Sequence, residues 1–391
     1  MPPVDPDALL AEMTAWRRDL HAHPEPGFGE RRTARLVADG LRAFGLDEVA
    51  EGIGGTGVVG TLRRGTGNRS IALRADMDAL AIDEAGALGH RSRTPGLMHA
   101  CGHDGHTAML LGAARLLAAE GGFDGTVRFV FQPAEEWGRG ALAMLADGLR
   151  ERFPFDEIYG FHNMPGQPVG TLRTRSGPLM AAEDLFEIRL AGRGGHAARP
   201  HTGREAMVAA CALVLNLQTI VSRRLDPARP AVVSVTGIET DGTRNVLPGT
   251  ARIVGDCRTF DADDGATIER EMRRIAEGTA QAYGLRAEVD YARAFVPLVN
   301  DGRLVAELTA AARTVLADDA VSDAADPMTA SEDFARYLEA VPGCFAFVGN
   351  GEASAPLHSP DYDFDDAGLL TGARLHAAIV RRRLPVAGAG T

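Results

Sequence analysis

The sequence predicts an α/β layered fold interrupted by a smaller β-α-β-β-α-β unit, and three observations carry that prediction. The length of 391 residues exceeds one ordinary domain and fits two. The first half alternates helical and strand-like stretches, the pattern of a layered α/β domain. From Asp184 the order becomes strand, helix, strand, strand, helix, strand, the split βαβ or ferredoxin-like arrangement.

In chain order, Asp7–His21 spaces Leu9, Leu10, Met13, Trp16 and Leu20 as one helix face. Thr33–Phe44 reads as a second helix, stopped by Gly45. Val58–Leu62 and Ile71–Arg74 read as strands joined by a turn at 65–68. The Ala/Leu-rich Thr107–Ala119 is a third helix, and the β-branched and aromatic Thr126–Gln132 a strand. In the second unit Leu185–Leu190, Val232–Ile238, Thr250–Cys257 and Arg286–Tyr291 are strands, with helices over Arg204–Val221 and Asp264–Tyr283. Helix and strand alternation resumes after Pro297. The expected division is a first catalytic part at 1–183, an insert at 184–296 and a second catalytic part at 297–391.

Composition narrows the function. Forty-one basic against 53 acidic residues leave a net charge of −12, and no basic stripe is visible. Such a chain is a poor candidate for nucleic acid or anionic membrane, and neither is expected as a partner. No apolar run approaches the roughly 20 residues of a membrane span. Met1–Leu10 has no basic region followed by an apolar one, so a cytoplasmic location is expected. Cys101, Cys211, Cys257 and Cys344 are widely spaced and form no CxxC pair, which argues against a disulfide framework.

Five segments carry candidate chemistry. His99–Thr107 puts three of the 11 histidines and Cys101 into a Gly-rich turn that feeds a helix. Thiolate and imidazole are the donors that Zn²⁺ and its neighbours prefer. In Phe129–Glu136 an apolar strand delivers Glu135 and Glu136 just past its end, where one carboxylate can bind metal and the other stay free as a base. His162 follows the apolar Tyr159–Phe161, and His358 lies in a loop dense in turn residues. Asp76 and Asp78, two apart in an extended chain, point to one side. A carboxylate so placed can orient a ligating His. Each segment alone also fits a bland reading: a capped helix, a solvated acidic loop, a structural His. Four of them, however, share the design of an apolar strand followed by polar donors, and in one sheet their ends would converge. Five or more donors exceed a closed structural site and suggest two metals with a hydrolytic water.

Read together, these segments resemble the M20 metallopeptidase family, in particular its amidohydrolase subgroup of hippurate hydrolases, N-acyl-amino-acid amidohydrolases and auxin-conjugate hydrolases. The resemblance runs in order through Arg17–Glu25, Arg74–Leu80, Cys101–Thr107, Gln132–Glu136, His162, Gly194–His201, Asn245–Pro248, Ser331–Phe334 and Leu357–Asp366. It implies a two-metal peptidase-like catalytic domain with an inserted dimerisation domain. It also implies that Cys101, His103, Glu136, His162 and His358 ligate two divalent ions, Mn²⁺, Zn²⁺ or Co²⁺, with Cys101 bridging. By the same resemblance Glu135 is the general base and Asp78 orients the metals. His196 reaches the site of a dimer partner to stabilise an oxyanion, and Asn245 and Arg258 touch substrate. Ala81 stands where the subgroup has Pro, which loosens a turn without removing a donor.

The implied activity is metal-dependent hydrolysis of the amide bond of small N-acyl amino acids by a homodimer or higher homo-oligomer. Two other classes stay open at this point. One is an amide hydrolase with Cys101 as nucleophile and His103 or His106 as base. The other is a silent metal-binding relative, against which an intact Glu135 argues.

Overall fold

The structure, a computed structural model, describes residues 4–386, so the reading of the first three residues lies outside it. The chain divides into two compact units. One takes the chain up to Leu179, Val299–Asp326 and the chain from Glu332 onward; the other takes Met180–Leu298 with Pro327–Ser331.

The first unit is built on a mixed sheet with, among the described residues, eight strands. Its centre is four parallel strands, Gly125–Gln132, Ser70–Asp76, Glu157–Met164 and Gly343–Gly349, in that spatial order. Gly125–Gln132 and Gly343–Gly349 are buried at every residue, as strands covered on both faces must be. The helices Pro6–Ala22, His103–Glu120 and Leu369–Arg383 pack there through Met13, Leu110, Leu117, Ala373 and Val380. Because the four strands run one way, their carboxyl ends share one rim, where open α/β sheets bind ligands.

Two readings of this unit change. Gly57–Arg64 and Ser70–Asp76 form no hairpin, because Gly125–Gln132 lies between them, antiparallel to the first and parallel to the second. The 65–68 turn is instead tied to the neighbouring loop, with Gly67 N donating to Asp124 Oδ1 at 2.6 Å. The third helix begins four residues early, at His103. Gly102 at φ +91° turns the chain into it, a conformation glycine adopts without steric cost.

The second unit is a four-stranded antiparallel sheet in the order Ala231–Thr240, Thr250–Thr259, Ala182–Ala191, Arg286–Phe295. Along Ala182–Ala191 buried residues alternate with less buried ones, so Phe186, Ile188 and Leu190 meet the helices while Leu185 faces outward. The single helix read over Arg204–Val221 is two, Ala206–Leu217 and Thr219–Arg224. Arg204 is held extended by a backbone bridge to Arg193, and Glu205 caps the first helix. At the break the Thr219 hydroxyl donates to the Asn216 carbonyl at 2.6 Å, competing with the helical amide. Among the described residues no helix is long and apolar enough to cross a membrane.

Candidate metal centre

The rim of the parallel strands gathers the donor segments. Asp76 ends one strand and Asp78 lies two residues on, while Glu135 and Glu136 follow the next. His162 sits near the end of the third strand, and the loop after the fourth carries His358. Cys101 and His103 enter from the start of the helix His103–Glu120. Among the donor groups whose ligand atoms lie within 4.8 Å of one another, two contain Cys101: Cys101, His103 and His162, and Cys101, Glu136 and His358. Cys101 belongs to both.

Hydrogen bonds hold His162 and His103 in orientations suited to ligation. His162 Nδ1 lies 2.7 Å from the Asn163 carbonyl, which only accepts, so Nδ1 carries the proton and the Nε2 lone pair faces Cys101 Sγ at 3.3 Å. His103 Nδ1 donates to Asp78 Oδ1 at 3.2 Å. The other oxygen of Asp78 accepts the Glu136 backbone N–H at 3.1 Å, so Asp78 ties a histidine to the acidic loop. His358 Nε2 stands 3.5 Å from Glu136 Oε1, its backbone in the left-handed region at φ 62°.

His103 Nε2 and Glu136 Oε1 are buried without a hydrogen-bond partner. Burial opposes a charged imidazole, yet Asp76, Asp78 and Glu136 outweigh it and hold His103 up at about 10. Burial, then Glu136 and Glu135, pushes the Cys101 thiol well above its ordinary value. Carboxylate is thus in excess at the centre, and a dication would satisfy the orphaned atoms and turn the thiol into a thiolate. Imidazole, thiolate and carboxylate together fit Zn²⁺, Mn²⁺ or Co²⁺ better than Ca²⁺.

Glu135 lies between the donors and a second carboxylate cluster: its Oε2 stands 4.0 Å from His103 Nε2, and it also groups with Glu332 and Asp333 beside the buried Arg74. Arg74 pairs with Asp76 at 2.7 Å and Glu332 at 2.9 Å, and donates to Gln132 at 2.9 Å. The Asp333 backbone N–H reaches Glu135 Oε1 at 3.4 Å, and the Asp333 carboxylate accepts from Gln132 and from Ala141 N. Burial first, then Glu332, Glu136 and Asp333, keep the Glu135 carboxyl well above the usual carboxylate range.

Of the other histidines in the Cys101 segment, His106 is occupied on both ring nitrogens, by Asp76 Oδ1 at 2.6 Å and Asn163 at 2.8 Å. His99 is buried and held down at about 4 by burial. The ring nitrogen within hydrogen-bond distance of the Cys101 thiol is that of His162, at 3.3 Å. With its thiol pushed up, Cys101 is a poor nucleophile.

His196, Asn245 and Arg258 lie in the second unit. His196 is exposed in a short ladder, paired with Val246, and Asn245 is exposed beside it, its carbonyl accepting Ala197 N. Arg258 is bound to Glu183, Asp256 and Ser331. The roles of Glu332, Asp333 and Arg74 escaped the sequence reading, although a charged Arg74 inside an apolar strand signals buried counter-charges.

The model of peptidase family M20/M25/M40 matches residues 72–382. The chain is 38% identical over 376 residues to a hippurate hydrolase of Campylobacter jejuni, covering 96% of this chain and 97% of that one. It is 38% identical over 369 residues to an N-acetyl-L-cysteine deacetylase of Bacillus subtilis, covering 94% and 87%. Among solved structures, a Bacillus subtilis protein described as a dinuclear metal binding peptidase from the M20 family superposes with a TM-score of 0.86. The two are 34% identical, with 97% of this chain and 99% of that chain covered.

Proposed function

The chain belongs to peptidase family M20/M25/M40, and from that membership we propose that it hydrolyses the amide bond of small N-acyl amino acids, releasing a carboxylic acid and an amino acid. At the coarser level it is a metal-dependent amidohydrolase acting on C–N bonds. The observation that carries the reading is that Cys101 is common to two donor groups, as a thiolate shared between two cations would be.

Cys101, His103, Glu136, His162 and His358 would hold the two divalent ions. When bound, these supply an acidified water and a Lewis acid for the acyl carbonyl. Glu135 accepts the proton of the attacking water and returns it to the amine nitrogen as the C–N bond breaks. Its raised affinity for protons suits a group that must hold one between those two steps. Asp78 fixes His103 and the Glu136 backbone in place. We assign His196 to the oxyanion of a second subunit's substrate, and Asn245 and Arg258 to substrate contact, in a homodimer.

The test is a panel of N-acetyl- and N-benzoyl-amino acids offered to protein reconstituted with Mn²⁺, Zn²⁺ or Co²⁺, read by amine release. A chelator should abolish release and the metals restore it. Normal turnover by protein shown metal-free by elemental analysis, or no release from any member of the panel, would refute the reading.

A further inference from the structure

The residue before the Glu135–Glu136 pair is conformationally unusual. Ala134 is buried at φ +48°, a left-handed backbone that costs an L-residue about 1–2 kcal/mol and persists only where its surroundings impose it. The surroundings here include one long-range bond. Ala134 N donates to Glu30 Oε1 at 2.9 Å, across 104 residues of sequence. The other oxygen of Glu30 accepts from Thr56 Oγ1 at 2.5 Å.

Glu30 stands at the N-cap of the helix Arg31–Ala43, where an acidic side chain ordinarily accepts that helix's own amides. It makes no such bond. Glu25 takes that work, accepting Arg32 N at 3.0 Å and Thr33 N at 2.8 Å. The Glu30 carboxyl is left to cross to the acidic loop. Gly27, in the same segment, approaches so closely that a Cβ there would stand 3.0 Å from Ala134 Cβ.

We propose that Glu30 is a positioning residue for the acidic loop, its side-chain Oε1 holding Ala134 left-handed so that Glu135 and Glu136 reach their places. The inference rests on the metal-site reading above, with Glu136 as a ligand. What matters is an acceptor at that reach, not a negative charge. Burial pushes the Glu30 carboxyl up to about 7, so an uncharged amide is a close electrostatic match.

Two substitutions separate reach from charge. Glu30→Gln keeps the acceptor and removes the charge; Glu30→Asp keeps the charge and withdraws the acceptor by one methylene. Three readouts apply to both: hydrogen exchange at the Ala134 amide, metal affinity of stripped protein by competition with a chelating indicator, and kcat. For Glu30→Asp we expect faster Ala134 exchange, a second metal bound about 10–100-fold more weakly, and a kcat loss of similar size. Glu30→Gln should recover exchange protection and affinity to within a few-fold of wild type. Should Glu30→Asp fail to fold, Gly27→Ala, whose added methyl would crowd Ala134 Cβ, should accelerate the same amide and weaken the same metal. Wild-type affinity and exchange in Glu30→Asp, or Glu30→Gln as impaired as Glu30→Asp, would overturn the proposal. Wild-type protein that binds no metal would instead refute the metal reading, while exchange at Ala134 would still decide whether Glu30 holds the loop.

Discussion

At the scale of single residues, Glu135 and Glu136 both approach His103 but differ in their other neighbours. Glu136 lies among His358, His103 and Cys101; Glu135 faces Glu332 and Asp333. Glu135→Gln should therefore leave metal content near normal and lower kcat roughly 10²–10⁴-fold. Glu136→Gln should lower metal content first, and elemental analysis of both variants would expose swapped roles. Glu30 gives a second residue-scale prediction. Its folded carboxyl titrates at about 7, above the ordinary value of 4.5, so between those values the unfolded chain releases a proton that the folded chain keeps. Its stabilising contribution is complete below the unfolded pKa and falls away as pH rises through the folded one. The change amounts to about 3 kcal/mol across the window. Glu30→Gln should flatten that part of the stability–pH curve, measured as urea midpoints from pH 4 to 8; an unchanged slope would mean Glu30 titrates normally. Residues such as Cys101, His103 and Glu136 could be found in the sequence because donor chemistry is written in residue type. Glu30 could not, because it acts on a backbone N–H more than 100 residues away.

At the scale of elements, the helix His103–Glu120 depends on Gly102. A Cβ at this left-handed residue would collide with Asn163 Oδ1 and the Tyr362 hydroxyl. Asn163 in turn holds His106, and its carbonyl fixes His162. Gly102→Ala should thus displace the His162 strand end and weaken metal binding at least tenfold, with a loss of thermal stability on the order of 1–3 kcal/mol. A variant with wild-type metal affinity would show that the helix start tolerates a side chain. The elements themselves were legible to different degrees. The β-α-β-β-α-β order could be read because Ala182–Ala191 alternates, with one face on the helices and the other more open. Strand pairing in the larger sheet could not, because Gly125–Gln132 is buried on both faces and carries no alternation to give its neighbours away. The break at Gln218 was invisible for another reason: apolar spacing continues through it, and only a local hydroxyl bond ends the first helix.

At the scale of the whole molecule, the expected dimer can be tested through His196. The insert sheet ends in Ala231–Thr240 and Arg286–Phe295, with Ile238 exposed on the first, and the helix Ala206–Leu217 of the same unit exposes Val208 and Leu215. A two-fold interface built through this unit would cover them and present each His196 to a partner. His196→Ala should fold and bind metal but lose roughly 10²–10³ in kcat. Mixed with Glu135→Gln, it should regain activity, since one hybrid site has both groups intact. Mixtures that stay inactive after mass spectrometry proves exchange would exclude action in trans. The division of the chain has one more consequence, for the order of events during synthesis. The sheet that bears the donors needs Gly343–Gly349, and His358 follows later still, whereas the insert's four strands are complete by Phe295. As the polypeptide leaves the ribosome, the insert can fold while the larger sheet still waits for a central strand. The proposed donors can meet only after His358 has emerged, so a nascent chain that stops short of it has no complete centre to offer a metal ion.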